Sequence, residues 1–241
     1  MAADRAYPEA QYFLGAMYEN GRGGLPANDV EAAHLYRFAA DQGQAYANFA
    51  LGFFYETARG GVPLNVVEAA RRYRIAADKG YAKGQAYLGT MYHFGAGVEK
   101  DDFEAARWWQ LAAEQGDAKA QSNLGYFCEH GLGGFERNSE EAVRLYRLSA
   151  DAGGVDGQRN LGSMYDRGLG GVAQDPVEAA RLYQLAADQG DAIAQMNLAS
   201  LYEQGRGVQK SEPEALRLFR LAARNGDADA QKKLSNRGES W

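Results

Sequence analysis

Apolar positions recur along the chain with a period of 36–37 residues, and within each period they follow helical spacing. The recurring Leu falls at Leu14, Leu51, Leu88, Leu124, Leu161, Leu198 and Leu234. Around it, as at Ala120, Leu124 and Cys128, apolar or small residues stand at i, i+4 and i+8, which is the stripe of an amphipathic helix. A second stripe, formed by Ala32, Tyr36 and their repeats, follows in the same period. The pattern predicts two helices, A and B, in every repeat.

Polar residues and glycines mark where each helix begins and ends. Helix B starts with a capping box, in which an Asn, Asp or Ser precedes a Glu by three residues. The six pairs are Asn28/Glu31, Asn65/Glu68, Asp101/Glu104, Asn138/Glu141, Asp175/Glu178 and Ser211/Glu214. Helix A is expected to end at a left-handed Gly such as Gly168. The second repeat has Ala58 there, which predicts strain or a different turn.

A Gly follows the recurring Leu directly in five repeats, at Gly15, Gly52, Gly89, Gly125 and Gly162. A Gly inside a helix costs about 1 kcal/mol relative to Ala. Its recurrence therefore predicts that helix A approaches a neighbouring helix closely at this position.

These elements predict an all-α fold, a solenoid of six antiparallel helix pairs followed by a C-terminal capping helix. We assign residues 1–241 to a single repeat domain, because stacked repeats share one continuous core. The predicted repeats span residues 7–43, 44–80, 81–116, 117–153, 154–190 and 191–226, and the terminal helix spans 227–237. The first helix has no preceding cap, so the N-terminal end with Tyr12, Phe13 and Met17 is a candidate surface for self-association.

Composition narrows the function classes. The formal charge of −6 argues against a nucleic-acid binder that works by neutralising phosphates. Cys128 is the single cysteine, which excludes an internal disulfide and favours a reducing compartment. No apolar stretch approaches the roughly 18 residues of a membrane span, and the N-terminus lacks the apolar region of a secretory signal. We expect a cytoplasmic protein without a cofactor.

The repeat resembles a known helical repeat. The order is Ala-x-Ala-Gln-x-Asn-Leu-Gly-x-x-Tyr, then Gly-x-Gly-Val, then Asp-x-x-Glu-Ala, an aromatic residue, Ala-Ala and Gly. Residues 118–125, AKAQSNLG, and residues 192–198 match it closely. It is similar to the Sel-one-like repeat, a branch of the tetratricopeptide-like repeats. The resemblance implies a right-handed superhelix with A helices lining the concave face, and an adaptor that assembles protein complexes without activity of its own.

The resemblance also implies which side chains face the groove. They stand two residues before the Leu, two after it, and five to six after it. The predicted groove residues are Tyr12, Phe49, Phe53, Thr90, His93, Phe94, Ser122, Tyr126, Glu129, His130, Arg159, Ser163, Asp166, Arg167, Met196, Ser200 and Glu203. The groove would run from aromatic to charged and suit a peptide or helix with one apolar end. The alternative is that several of these aromatic rings pack between helices.

Asn123, Asn160 and Asn197 recur one residue before the Leu. An amide offers a donor and an acceptor, so such a ladder can hold a peptide main chain. The alternative is that each Asn bonds its own neighbouring helix.

Other chemistry is poorly supported by the sequence. The recurrent Glu residues are explained by the capping boxes. Cys128 stands at the position that a Tyr holds in the five other repeats, and His93 and His130 lie in different repeats, which argues against a metal site. The Gly-rich turns lack the Lys-Ser/Thr of a phosphate loop. We therefore expect no catalytic residue and no enzyme activity.

The sequence predicts a non-catalytic scaffold that binds a protein or peptide partner. Two alternatives stay open. One is a small-molecule-binding or enzyme-associated repeat protein of the bacterial type. The other is the targeting part of a larger multidomain protein.

Overall fold

The computed structural model describes residues 7–241, and within this range the chain forms thirteen α-helices and no β-strand. None of the helices in that range is both long and apolar enough to cross a membrane. In chain order the helices are α1 (Pro8–Asn20), α2 (Asp29–Asp41), α3 (Ala45–Thr57), α4 (Val66–Asp78), α5 (Ala82–Phe94), α6 (Asp102–Glu114), α7 (Ala118–His130), α8 (Ser139–Asp151), α9 (Val155–Arg167), α10 (Pro176–Asp188), α11 (Ala192–Gln204), α12 (Glu212–Arg224) and α13 (Ala228–Asn236).

Helices A and B of each repeat pack as a pair, and the chain divides into two compact units. The first unit ends at Gln115 and contains α1 to α6; the second, Gly116–Trp241, contains α7 to α13. Within the units, α2 packs on α3, α4 on α5, α8 on α9, α10 on α11 and α12 on α13. The predicted all-α fold of consecutively packed helix pairs is confirmed. The single continuous domain and the right-handed superhelix stay predictions.

The N-cap side chain of every B helix accepts a backbone hydrogen bond from the first turn, as predicted. Asp175, for example, accepts from the N–H groups of Val177 and Glu178 at 3.0 Å. A full capping box has a second hydrogen bond, in which the Glu side chain accepts from the N–H of the N-cap residue, and for this second bond the prediction is wrong. The N–H of Asp175 donates instead to the carbonyl of Tyr165 in helix A at 2.9 Å, and the other five B helices repeat this bond. The carboxylate of Glu178 is therefore free to bind Arg181.

The turn from helix A to helix B begins with a left-handed residue in every repeat. It is Gly168 in the fifth repeat, with φ 64°, and Ala58 in the second, with φ 53°. The same turn thus forms in the second repeat, and Ala58 bears the strain because a Cβ disfavours this conformation. The connection holds eight residues in four repeats and seven in the third and sixth (residues 95–101 and 205–211). Every B-to-A connection has three residues.

The mid-helix glycines lie against the buried aromatic residue of helix B in the same repeat. A Cβ built on Gly125 would lie 2.7 Å from Cδ1 and Cε1 of Tyr146, and one on Gly89 would lie 2.6 Å from Cδ1 of Trp109. Gly15, Gly52 and Gly162 meet Tyr36, Tyr73 and Tyr183 in the same way. The predicted close approach is confirmed: these rings and the surrounding Ala and Leu side chains form much of the core.

Candidate functional site

Six aromatic rings form a connected patch on the A helices of the first unit. Neighbouring ring centroids lie 4.6 to 5.7 Å apart, which is the range in which aromatic pairs attract each other. The pairs are Tyr12–Phe13 at 5.4 Å, Tyr12–Tyr46 at 5.7 Å, Tyr46–Tyr81 at 4.6 Å, Tyr81–Phe49 at 5.3 Å and Phe49–Tyr87 at 5.1 Å. We refer to these six residues as the aromatic surface.

Two rings of the aromatic surface are open to solvent and four support them. Phe13 is 64% exposed and Tyr46 is 48% exposed. The other four rings are half-buried, and Phe49 also packs beside the buried Tyr73. Because the half-buried rings already restrict the rotamers of Phe13 and Tyr46, these two side chains lose little conformational entropy when a partner covers them, which lowers the entropic cost of binding. The surface is therefore suited to contact with another protein.

Tyr81 occupies a position where other repeats have a helix cap. Asp117, Asp191 and Asp227 each cap an A helix by accepting a backbone N–H. The side chain of Tyr81 makes no such bond to α5. A good N-cap contributes about 1 kcal/mol. The third repeat therefore lacks this capping hydrogen bond, and the Tyr81 ring instead makes an edge-to-face contact with the Tyr46 ring.

The predicted groove residues of the first unit divide into two groups. Tyr12 and Phe49 belong to the aromatic surface, and Phe53 is half-buried beside the core of the first helix pairs. Thr90 and His93 are engaged within their own helix pair. The hydroxyl of Thr90 donates to the carbonyl of Ala86 at 3.0 Å, and Nδ1 of His93 lies 2.7 Å from Oδ1 of Asp102. The exposed Phe94 lies against the His93 ring.

Ser122 does not face an open groove, contrary to the prediction. It is 2% exposed, because the side chain of Asn160 in α9 covers it, with Nδ2 3.4 Å from Oγ of Ser122. Arg159 is also engaged, since it binds Asp156 at 2.7 Å and Asp191 at 2.6 Å. These contacts connect neighbouring repeats and favour the structural reading of Asn160. Asn123 and Asn197 are half-buried, and the ladder stays a prediction.

Other predicted residues of the second unit also bind partners within the chain. Asp166 binds Arg206 at 2.7 Å, Glu203 binds Lys233 at 2.5 Å and also Arg237, and Ser200 donates to the carbonyl of Met196 at 3.0 Å. Tyr126 is partly exposed and stacks on His130 at 4.1 Å. Ser163 and Met196 are half-buried, and Arg167 is exposed.

The acid five residues after the Leu has a role that the sequence did not indicate. Glu129 accepts a hydrogen bond from the hydroxyl of Tyr146 at 2.8 Å, and Glu19 and Glu56 do the same for Tyr36 and Tyr73 at 2.6 Å. Burial, and then the neighbouring carboxylate, raises the pKa of each tyrosine well above its usual range. In the third repeat His93 and Trp109 replace the Glu–Tyr pair. This joint replacement was the available signal.

Metal and nucleophile chemistry finds little support in the described part of the chain. Residues 7–241 contain no group of three or more side chains placed to hold a metal ion. The thiol of Cys128 is buried, and burial together with Glu141 raises its pKa. A raised thiol pKa lowers the thiolate fraction and hence its reactivity.

Comparisons with known proteins agree with the repeat structure. The family model "Sel1 repeat" matches six times, at residues 8–44, 45–81, 82–117, 118–154, 155–191 and 192–227. No curated protein matches the chain.

Several solved structures are similar to this chain. A protective antigen present in uropathogenic Escherichia coli strains, which displays an SLR fold, is 37% identical with a TM-score of 0.76; the match covers 98% of this chain and 50% of the antigen, so this chain spans half of that protein. A Sel1 repeat protein from Oxalobacter formigenes is 32% identical with a TM-score of 0.79, over 93% of this chain and 86% of that one.

An immunity protein from Pseudomonas aeruginosa shares the fold alone. It is 20% identical with a TM-score of 0.57, over 92% of this chain and 83% of its own. Six family repeats over nearly the whole sequence, and two relatives above 30% identity, leave one assignment. The chain belongs to the Sel1 repeat family.

Proposed function

We propose that this protein is a non-catalytic scaffold that binds a peptide or helical segment of a partner protein on the face of its A helices. Sel1 repeat proteins are generally protein-interaction scaffolds and are typically non-catalytic. The observation that carries the proposal for this chain is the aromatic surface of the first unit. It contains two of the predicted groove residues, Tyr12 and Phe49, and beside them the exposed rings of Phe13 and Tyr46.

The chemistry of the aromatic surface fits a protein partner better than a small polar ligand. Aromatic residues are enriched among the side chains that dominate protein interfaces. A partner segment with apolar side chains can cover Phe13 and Tyr46 and remove their rings from water. The tyrosine hydroxyls can keep a hydrogen bond at the rim of such a contact. By contrast, Arg159, Asp166 and Glu203 of the second unit are held in ion pairs.

Residues from other repeats of the same chain provide a test that leaves the fold in place. Phe13→Asn introduces the residue found at Asn160, and Tyr46→Lys introduces the residue found at Lys83. A control, Phe103→Glu, removes a 70% exposed ring outside the aromatic surface and matches Glu140. Each tagged protein is used to capture partners from host lysate, and circular dichroism verifies equal helix content.

We expect a partner that the wild type and Phe103→Glu retain and that the Phe13→Asn/Tyr46→Lys double variant loses. Equal capture by all three proteins would show that the aromatic surface is not the binding site. If Phe103→Glu also loses the partner, capture depends on exposed apolar residues in general and not on the aromatic surface.

A further inference from the structure

The second residue of each A helix in the first unit forms a row with alternating character. It is Glu9 in α1, Tyr46 in α3 and Lys83 in α5. All three side chains are exposed. The ring of Tyr46 contacts Tyr12 of α1 on one side and Tyr81, the residue before α5, on the other, which places Tyr46 between the other two. The row thus has an acid at one end, an aromatic ring in the middle and a base at the other end.

Among residues 7–241, the side chains of Glu9 and Lys83 make no hydrogen bond and no ion pair. The acids further along the same helices are engaged: Glu19 binds Tyr36 and Arg59, and Glu56 binds Tyr73. The exposed Tyr46 ring thus lies between one exposed acidic and one exposed basic side chain.

We propose that the occupant of the aromatic surface is a second copy of this chain, docked about a two-fold axis. In such an isologous contact each surface meets itself in the opposite direction. Tyr46 then meets Tyr46 at the axis, Glu9 meets Lys83 of the second copy, and Lys83 meets Glu9 of the second copy. The order acid, aromatic, base is self-complementary under this operation.

This inference rests on the proposed function, since it names the partner of the same surface. Partner capture and self-association would then compete for Phe13 and Tyr46. The dimer interface would also bury the rings that are most exposed in the isolated chain. Opposite charges at the rim of an interface determine its alignment and the choice of partner more than the total affinity. Glu9 and Lys83 are therefore the residues to substitute.

The experiment uses the purified full chain in sedimentation velocity over a range of concentrations. Glu9→Lys and Lys83→Glu each replace two attractions in the dimer with two repulsions. Both changes use residue types found at this position in other repeats, Lys at Lys119 and Glu at Glu9, so the fold should tolerate them. We expect each variant to weaken dimerisation by about tenfold or more. Glu114→Lys and Lys100→Glu change net charge equally, lie outside the row and should dimerise like the wild type.

Mixing the two single variants is the decisive step. The pair Glu9→Lys with Lys83→Glu restores opposite charges at both ends, so the mixture should form a heterodimer although each variant alone is weakened. A wild type that stays monomeric at all concentrations, or a mixture that gains no dimer, overturns the inference. The scaffold proposal is tested separately by lysate capture: a monomeric wild type whose capture is still lost in Phe13→Asn/Tyr46→Lys would leave that proposal standing.

Discussion

Replacing Gly125 with Ala sets two physical effects of opposite sign against each other. Helix propensity alone predicts that Gly125→Ala in the middle of α7 stabilises the fold by about 1 kcal/mol. The packing predicts the reverse, because the new Cβ would lie 2.7 Å from two ring carbons of Tyr146. Ordinary carbon–carbon contact is about 3.5–4.0 Å, so the ring or the helix must move by roughly an ångström.

The magnitude follows from what Tyr146 would lose. Its ring is fully buried, and its hydroxyl is held by Glu129 at 2.8 Å. Overpacking a core costs about 1–3 kcal/mol, and a weakened hydrogen bond adds about 1 kcal/mol. After subtraction of the propensity gain, we expect Gly125→Ala to lower the free energy of unfolding by about 1–3 kcal/mol.

Urea unfolding followed by far-ultraviolet circular dichroism measures this difference. The sixth repeat provides the matched case, since Ala199 already faces Phe219 there and both are fully buried. Ala199→Gly should also destabilise, by the propensity cost of about 1 kcal/mol plus the small cavity. A Gly125→Ala protein as stable as the wild type, or more stable, would refute the packing argument.

Three further changes test the turns, the caps and the buried tyrosines. Ala58→Gly should raise the free energy of unfolding in urea by about 0.5–1 kcal/mol, because it relieves the left-handed strain; no gain would mean that the turn is unstrained. Asp175→Ala should lower the free energy of unfolding by about 1 kcal/mol and Glu178→Ala by less than about 0.5 kcal/mol, because only the Asp175 side chain caps α10. Equal losses would indicate that both hydrogen bonds of the capping box form. Above pH 10 stability should fall by roughly 1.4 kcal/mol per pH unit for each buried tyrosine, because the unfolded chain ionises first. Burial raises the pKa of Tyr183 to about 12, and those of Tyr36, Tyr73 and Tyr146 further still. A flat alkaline stability profile would contradict those shifts.

The helices, N-caps and connections could be predicted because the same sequence pattern occurs in six repeats. The Leu register predicted the helix pairs, and the N-cap residues predicted where each B helix begins. The second hydrogen bond of the capping box, from the N-cap N–H to the Glu side chain, was mispredicted. The N–H of Asp175 donates to the carbonyl of Tyr165 instead, and this acceptor lies in a different helix. The spacing of residues within one helix gives no information about an acceptor in another helix.

The candidate site was predicted in part. Tyr12 and Phe49 were among the groove residues that the family resemblance implied, and Phe13 was predicted only as part of the N-terminal self-association surface. Tyr46, Tyr81 and Tyr87 were not predicted. Tyr46 and Tyr81 stand where other repeats have Lys or Asp, so their departure from the repeat was the available signal. Ser122 was misplaced because its burial depends on a side chain of the next repeat. The position of a residue in the repeat predicts which face of the helix it lies on. Whether its side chain is exposed on that face depends on the side chains of neighbouring repeats.

The hydrogen bond from each B-helix N-cap to helix A has a consequence for tolerance to insertion. It closes the connection at its base whether the connection holds seven residues, as at 95–101, or eight, as at 21–28. In the first connection, residues 21–28, a Cβ added to Gly24 would meet nothing within 4 Å, so residues inserted there would extend outward without shifting either helix. Later connections pack on the preceding B helix, as at Gly97, where a Cβ would clash with the carbonyl oxygen of Val66. The three-residue B-to-A connections are identical in length throughout residues 7–241. A tag, a reporter group or a new binding loop therefore belongs in the first A-to-B connection.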